Sequence, residues 1–244
     1  MTTDLDALLA DPARPLSLRE LVFPRKLQIR VAAPHPDDFD AIGVSLRHLH
    51  ALGHVLHLAV LTTGASGVED GFEGANDAAA KAALREAEQR ASCAFFGLPA
   101  QGLEFLRLWD GGADDLQPLR EWMAARPADL LFMPHGNDSN RTHRRTFESV
   151  CALAREQGLQ AWALLNRDAK TLEMRDDLYC GFSEDEAGWK ARLLRLHRSQ
   201  HQRNLRTRGI GFDERVLQVN RQAAQALHLE EPYAEVFQLL RLPA

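Results

Sequence analysis

Residues 27–40 read Leu-Gln-Ile-Arg-Val-Ala-Ala-Pro-His-Pro-Asp-Asp-Phe-Asp. Leu27 to Ala33 is an apolar, partly β-branched run that stops at Pro34, the pattern of a buried strand. It passes directly into a polar turn. Ala41 to Leu52 then reads as a helix closed by Gly53. A strand, a polar turn and a helix in that order form the opening unit of an α/β fold.

Outward from this unit the alternation continues. Val55 to Leu61 reads as a second strand. It is followed by a Gly-rich and acidic loop, Thr62 to Glu73, that begins Thr-Thr-Gly-Ala-Ser-Gly. Ala75 to Phe96 is expected to be a long helix ending at Gly97-Leu98-Pro99. Leu103 to Leu108 reads as a third strand, and Asp110-Gly111-Gly112 leads into a helix near Leu116 to Arg126. Leu130 to Pro134 reads as a strand, Thr142 to Gln157 as a helix stopped by Gly158, and Gln160 to Leu165 as a fifth strand. This predicts an α/β fold: a Rossmann-like three-layer domain with a mostly parallel sheet flanked by helices and right-handed crossovers.

Beyond residue 166 the pattern changes. A polar, strand-like stretch (Thr171 to Gly181) precedes two expected helices, Glu184 to Arg206 and Glu214 to Leu227, and a final strand, Glu235 to Leu240, placed at the sheet edge. Residues 1–24 read as an N-terminal arm with one short helix and three prolines, Pro12, Pro15 and Pro24. No repeat, low-complexity tract or linker divides the chain, so residues 1–244 are expected to form one domain.

The bulk properties narrow the function classes. The chain has 244 residues, 45% hydrophobic and 26% charged, with a net charge of -5. That is ordinary globular composition, and the acidic balance argues against nucleic acid or an anionic membrane as partner. The basic stretch from Arg192 to Arg208 carries no interleaved aromatic residues and reads as a solvated helix face, with a few arginines turned toward an anionic substrate. Cys93, Cys151 and Cys180 form no CxxC pair, which argues against a disulfide framework or a Cys-rich zinc site. The N-terminus lacks the basic and apolar regions of a signal peptide, and no apolar run reaches membrane-spanning length. A cytoplasmic protein with a small-molecule substrate is expected, and a homo-oligomer is compatible with the sequence. GxGxxG, GxxxxGK[ST] and GxSxG are all absent, which disfavours dinucleotide, P-loop and serine-hydrolase chemistry.

Two polar clusters follow strands. In an open α/β sheet ligands bind beyond the carboxyl ends of the strands, so both lie on the functional edge. In the first, His35 and Asp38 can converge on one metal ion across the turn. Asp37 is then free to act as a base toward a metal-bound water. An acidic turn capping the next helix is the plainer alternative. The second is Met133-Pro134-His135-Gly136-Asn137-Asp138-Ser139-Asn140-Arg141-Thr142-His143. His143, in the first turn of a helix, can supply a third ligand and leave open positions for water and substrate. His135 reads equally as a loop histidine bonded to backbone, and Asp138 as a carboxylate orienting a ligand. Arg141, Arg144 and Arg145 flank the site and could meet a carboxylate or phosphate, or pair with acidic neighbours at the surface.

At these residues the chain resembles the PIG-L/LmbE-like N-deacetylase family. His35-Pro36-Asp37-Asp38 matches its first motif and His143 the closing histidine of its second. Thr62-Thr63-Gly64, Arg85-Glu86, Trp109-Asp110-Gly111, and the set Lys190, His197, Ser199 and Gln200 resemble further family features in order. The resemblance implies metal ligands His35, Asp38 and His143, with Asp37 as general base. It brings Arg85, Asp110, Asp138, Arg141 and His197 toward an amino-sugar substrate. It also implies an N-deacetylase, a hydrolase cutting the linear amide of an N-acetylglucosamine-type compound. Zinc (Zn2+) is the default metal, and ferrous iron (Fe2+) fits the ligand set as well. Two positions depart from the family. Phe39 and Asp40 follow the Asp pair where Glu is usual, and Asn140 stands where many members carry a histidine that steadies the oxyanion. An Asn amide donates that hydrogen bond but transfers no proton, which brings Asp37 or His135 forward as the proton route. Two rivals stand beside this reading: a metal-dependent hydrolase of another amide or ester, and a non-catalytic module binding a sugar or metabolite.

Overall fold

The computed structural model describes residues 5–10, 15–109 and 115–243. Its elements run α1 (Leu5–Leu9), β1 (Leu16–Ser17), β2 (Gln28–Ala33), α2 (Asp38–Ala41), α3 (Gly43–Ala51), β3 (Val55–Val60), α4 (Ala78–Phe96), β4 (Leu103–Phe105), α5 (Gln117–Ala124), β5 (Leu130–Pro134), α6 (Arg141–Gln157), β6 (Ala161–Asn166), β7 (Leu178–Phe182), α7 (Glu184–Arg195), α8 (Arg198–Arg208), α9 (Phe212–Ala226) and β8 (Tyr233–Leu242). The strands form one sheet in the order β1-β7-β8-β6-β5-β2-β3-β4. All pairings are parallel except those of β8, which runs antiparallel to both β6 and β7. The expected three-layer α/β fold with a mostly parallel sheet is the one observed.

Alternation along β2 divides the layers. Ile29, Val31 and Ala33 join one apolar cluster with Val44, Leu46 and Leu49 of α3, Phe96 of α4 and Leu193 of α7. Ala32 joins a second cluster on the opposite face with Trp122 of α5 and Val150 and Leu153 of α6. Successive strand side chains point to opposite faces, so a fully buried strand must be apolar in both registers. Arg30 is the exception: it is 3% exposed, stacks over Trp122 at 4.8 Å and donates to the Trp122 carbonyl. A cation whose stem and ring-like head both pack is tolerated there.

The strand expected over residues 103–108 stops at Phe105, and the stretch 171–181 is a strand only over Leu178–Phe182. The helix expected over residues 41–52 is split into α2 and α3. Three further differences concern the layout. β8 lies inside the sheet rather than at its edge, because Tyr233 to Phe237 pair with β7 on one flank and Phe237 to Leu242 with β6 on the other. The arm contributes β1, which takes the edge by pairing Leu16 with Leu178 and Ser17 with Tyr179. The single helix expected over Glu184 to Arg206 is two. His197 leaves the helical region at ψ 65, where its ring turns inward, and α8 restarts with the Ser199 amide donating to Glu88 at 2.7 Å.

The strand order sets the position of the site. The chain builds β2, β3 and β4 outward in one direction, then returns to place β5 on the other flank of β2. The two loops leaving β2 and β5 therefore diverge to opposite faces and open a crevice at the carboxyl edge, where doubly wound sheets bind ligands.

Candidate metal centre and active site

The turn after β2 is tied down by its own backbone. Pro34 accepts at its carbonyl from the Thr62 amide at 3.0 Å and the Thr62 hydroxyl at 2.8 Å, so the loop after β3 braces it. Asp38 Oδ2 accepts from the His35 amide at 2.8 Å and lies 3.1 Å from His35 Nδ1. One carboxylate thus closes the turn and sets the imidazole. Asp37 sits at φ 105, in the left-handed region that non-glycine residues rarely occupy. Its amide donates to Gln89 Oε1 at 2.9 Å, and its Oδ2 accepts from Arg85 Nη2 at 2.6 Å. Arg85 is 1% exposed and also bonds Glu88 at 3.0 Å. Such a strained backbone persists only where its surroundings over-determine it, as these bonds do here.

The loop after β5 brings the second cluster. Asp138 Oδ1 accepts from the Asn140 amide at 2.6 Å, and Asn140 Oδ1 caps α6 by accepting from the Thr142 amide at 3.0 Å. His143, one turn into α6, has Nδ1 3.0 Å from Asp138 Oδ2 and 3.3 Å from Asp168 Oδ2. Its Nε2 faces Asp38 Oδ1 at 3.6 Å. A proton on Nδ1, donated to Asp138, leaves the Nε2 lone pair directed at the His35–Asp38 pair.

His35, Asp38 and His143 each offer one ligand atom, and the three atoms lie within 4.8 Å of one another. Ligand atoms around a zinc ion at about 2.0–2.1 Å are roughly 3.4 Å apart, so small side-chain adjustments suffice. Two nitrogens and one carboxylate leave a coordination position open, as a catalytic site needs. The electrostatics favour a cation. Burial alone would depress the His143 imidazole, yet Asp38, Asp138 and Asp168 push it up to about 9. Burial raises the Asp38 carboxyl, but facing His143 and the hydrogen bonds from His35 hold it below the usual range. Burial also raises Asp168, with the Asp138 and Asp38 carboxylates adding to it against His143. A second group, Asp138, His143 and Asp168, has its ligand atoms equally close. It shares His143, and Asp138 and Asp168 approach the Nδ1 side of the ring, so it is read as the support of the first.

His35, Asp37, Asp38, Arg85, Asn140 and His143 line one cavity of about 430 Å³, and Asp168 completes that wall. Asp138 lies behind His143 at 1% exposure. His135 stands apart from this lining: its Nδ1 accepts from the Asn137 amide at 3.0 Å and its Nε2 is 3.2 Å from Gln238. Arg141 is exposed at the start of α6. His197, expected at the substrate, is fully buried with Nε2 2.7 Å from Asp40 Oδ2. Asp110 lies outside the described residues. Asp168 is the residue the sequence reading passed over. It follows β6 at the same carboxyl edge, which was the available signal.

The model of the family described as GlcNAc-PI de-N-acetylase matches residues 31–154. Solved structures resemble the fold. One is an N,N'-diacetylchitobiose deacetylase from Pyrococcus horikoshii, at TM-score 0.70 and 17% identity, over 97% of this chain and 90% of that one. Another is the zinc-inhibited form of a teicoplanin deacetylase, at TM-score 0.64 and 12% identity, over 88% of this chain and 98% of that one. A third is 4-carboxy-2-hydroxymuconate hydratase from Pseudomonas putida, at TM-score 0.65 and 17% identity, over 88% and 96%. At these identities the likeness is one of fold. No curated protein sequence matches the chain. Among the described residues no helix is long and apolar enough to cross a membrane.

Proposed function

The chain belongs to the PIG-L family, whose model is described as GlcNAc-PI de-N-acetylase, and from that membership we propose that it is a metal-dependent N-deacetylase acting on an N-acetylglucosamine-type amide. The supporting observation is the convergence of His35, Asp38 and His143 beside Asp37 in one cavity. His35, Asp38 and His143 would hold the ion, zinc by default and ferrous iron as the other fit. A divalent ion held there would acidify a water and polarise the acetyl carbonyl.

The chain's own groups supply the rest. Asp37 has one carboxylate oxygen fixed by Arg85, which leaves Oδ1 to take the proton of the attacking water. Asn140 spends Oδ1 on the α6 cap, which leaves its Nδ2 amide to donate to the developing oxyanion. The proton held on Asp37 then passes to the departing amine, and acetate and a free amino group result. Asp138 keeps the Nδ1 proton on His143 and so keeps Nε2 available as a ligand. The amide-cutting reading differs from a binding-only module in its need for Asp37.

The test is elemental analysis of wild type and of His35→Ala, Asp38→Ala and His143→Ala, run beside acetate release from N-acetylglucosaminides. About one equivalent of zinc or iron in wild type, lost in all three variants together with acetate release, is the expected result. Wild type that takes up no metal, or acetate release that survives in Asp37→Asn, sinks the mechanism.

A further inference from the structure

Six cationic side chains line the cavity: Arg85, Arg167, Lys170, Arg203, Arg208 and Arg215. Arg85 is neutralised by Asp37 and Glu88, and Arg167 by Asp176. The other four form no ion pair with any described residue. Arg203 reaches only the Gly67 carbonyl, at 3.5 Å, and Arg208 only the Thr207 hydroxyl, at 3.2 Å. The Arg215 guanidinium makes no hydrogen bond with any described residue.

Neighbouring arginines on α8 behave otherwise: Arg198 pairs with Glu73 at 2.7 Å and Arg206 with Glu69 at 3.2 Å. On α8, Arg198 and Arg206, which do not line the cavity, have found carboxylates, whereas Arg203 and Arg208, which do, have not. The cavity's own carboxylates do not serve, since Asp37 is bound by Arg85 and Asp38 and Asp168 surround His143. Arg215 is half-buried, and burial together with Arg208 and Arg203 depresses it, against the pull of Asp168 and Asp37. The exposed Arg203 and Arg208 share the cavity wall with Arg215 and act against its charge, and an anion seated among the three would relieve that.

We infer that the wall formed by α8 and α9 is an oxyanion subsite, in which Arg203, Arg208 and Arg215 hold a phosphate or carboxylate carried by the substrate outside its acetamido group. This rests on the amino-sugar reading above and narrows it: the substrate is an anionic conjugate of the sugar. Planar guanidinium donors match the paired oxygens of either group, and such charge-assisted bonds are the stronger kind.

The experiment is calorimetric binding of three probes, with acetate release followed in parallel. The probes are N-acetylglucosamine 1-phosphate, the carboxymethyl glycoside and the neutral methyl glycoside of N-acetylglucosamine. Proteins are wild type, Arg215→Gln and the Arg203→Gln/Arg208→Gln/Arg215→Gln triple variant, each checked for an unchanged melting temperature. An anionic probe should bind wild type about tenfold or more tighter than the methyl glycoside. That ratio should fall toward 1 in the triple variant, and added salt should erode it. The probe with the larger ratio identifies the anion. Equal binding of the three, no binding of any, or a ratio that survives in the triple variant overturns the subsite. Acetate released from all three at equal kcat/KM would also overturn it while leaving the deacetylase reading intact. A large binding ratio without acetate release would leave the subsite standing and remove the deacetylase reading.

Discussion

Asp138→Asn tests whether the orientation of His143 is what makes the metal site. Asp138 is 1% exposed and accepts His143 Nδ1–H at 3.0 Å. An asparagine of the same shape still accepts from the Asn140 amide through one oxygen. Its amide nitrogen, however, faces His143 Nδ1 with a donor, so the ring must surrender the Nδ1 proton and carry it on Nε2. That removes the lone pair facing Asp38 and His35. Loss of such a supporting group costs metal affinity about 10- to 100-fold, or roughly 1.4–2.7 kcal/mol. Asp168, 3.3 Å from the same nitrogen, can take over part of the role, so the single variant belongs at the lower end and Asp138→Asn/Asp168→Asn at the upper. The assay is competition for zinc against a chromophoric chelator, with near-ultraviolet circular dichroism confirming the fold. If both variants bind zinc within threefold of wild type, the Nδ1 proton is not what presents His143 and the argument fails.

Asp37→Asn should retain its metal and lose about 100- to 10,000-fold in kcat, measured as acetate release against elemental content. Lys190→Met should destabilise the protein by roughly 3–5 kcal/mol in urea titration, because Lys190 is fully buried and bonds Glu235 at 2.6 Å and Asn220 at 2.7 Å. Adding Glu235→Gln to Lys190→Met should recover part of that loss, since it removes the stranded carboxylate. In chelator-stripped protein, His143 pushed up to about 9 adds stability that is whole below pH 6.5 and disappears as pH rises through 9. The unfolding free energy from urea titration should fall over that window by an amount on the order of 3 kcal/mol. Zinc should remove the dependence, because it occupies the nitrogen the proton would take; an unchanged slope with zinc would contradict the ligand role.

The alternation that built the fold was open to reading because each strand is a short apolar run bounded by Gly or Pro. β5 has the bounds expected of it, Leu130–Pro134. The position of β8 was not, since a strand's sequence records its burial and not its neighbours. Only the long-range pairing of Leu164 with Leu239 and Leu178 with Phe237 places it inside the sheet. Asp168 was missed because its local reading is sufficient: Oδ1 accepts from the Lys170 and Thr171 amides, an ordinary polar turn. Its second oxygen meets His143 only through the adjacency of β5 and β6. His197 presents the converse case. A histidine in a recognisable pattern turns out to be held by a carboxylate 157 residues away, at zero exposure.

That buried histidine bears on how Asp37 is held at φ 105, a conformation that costs on the order of 1–3 kcal/mol and persists only when its surroundings over-determine it. The surroundings here are one stripe of α4. Arg85, Glu88, Gln89 and Ser92 recur at helical spacing on the face turned toward the β2 turn, and all four are buried. Arg85 takes the Pro36 carbonyl and the Asp37 carboxylate, and Gln89 takes the Asp37 amide. Gln89 Nε2 and Ser92 Oγ then donate to Asp40 Oδ2, at 3.2 and 3.1 Å, and His197 Nε2 lies 2.7 Å from the same oxygen. Glu88 anchors the start of α8 through Ser199, at 2.7 Å from both its amide and its hydroxyl. The helix that carries the cavity arginines and the turn that carries Asp37 are therefore fastened to the same stripe. Asp40 Oδ1, Arg85 Nε and His197 Nδ1 find no hydrogen-bond partner among the described residues, so the network carries a cost, but the bonds it does make define one geometry. Here it fixes the proposed base against the proposed metal and sets both at a defined distance from α8.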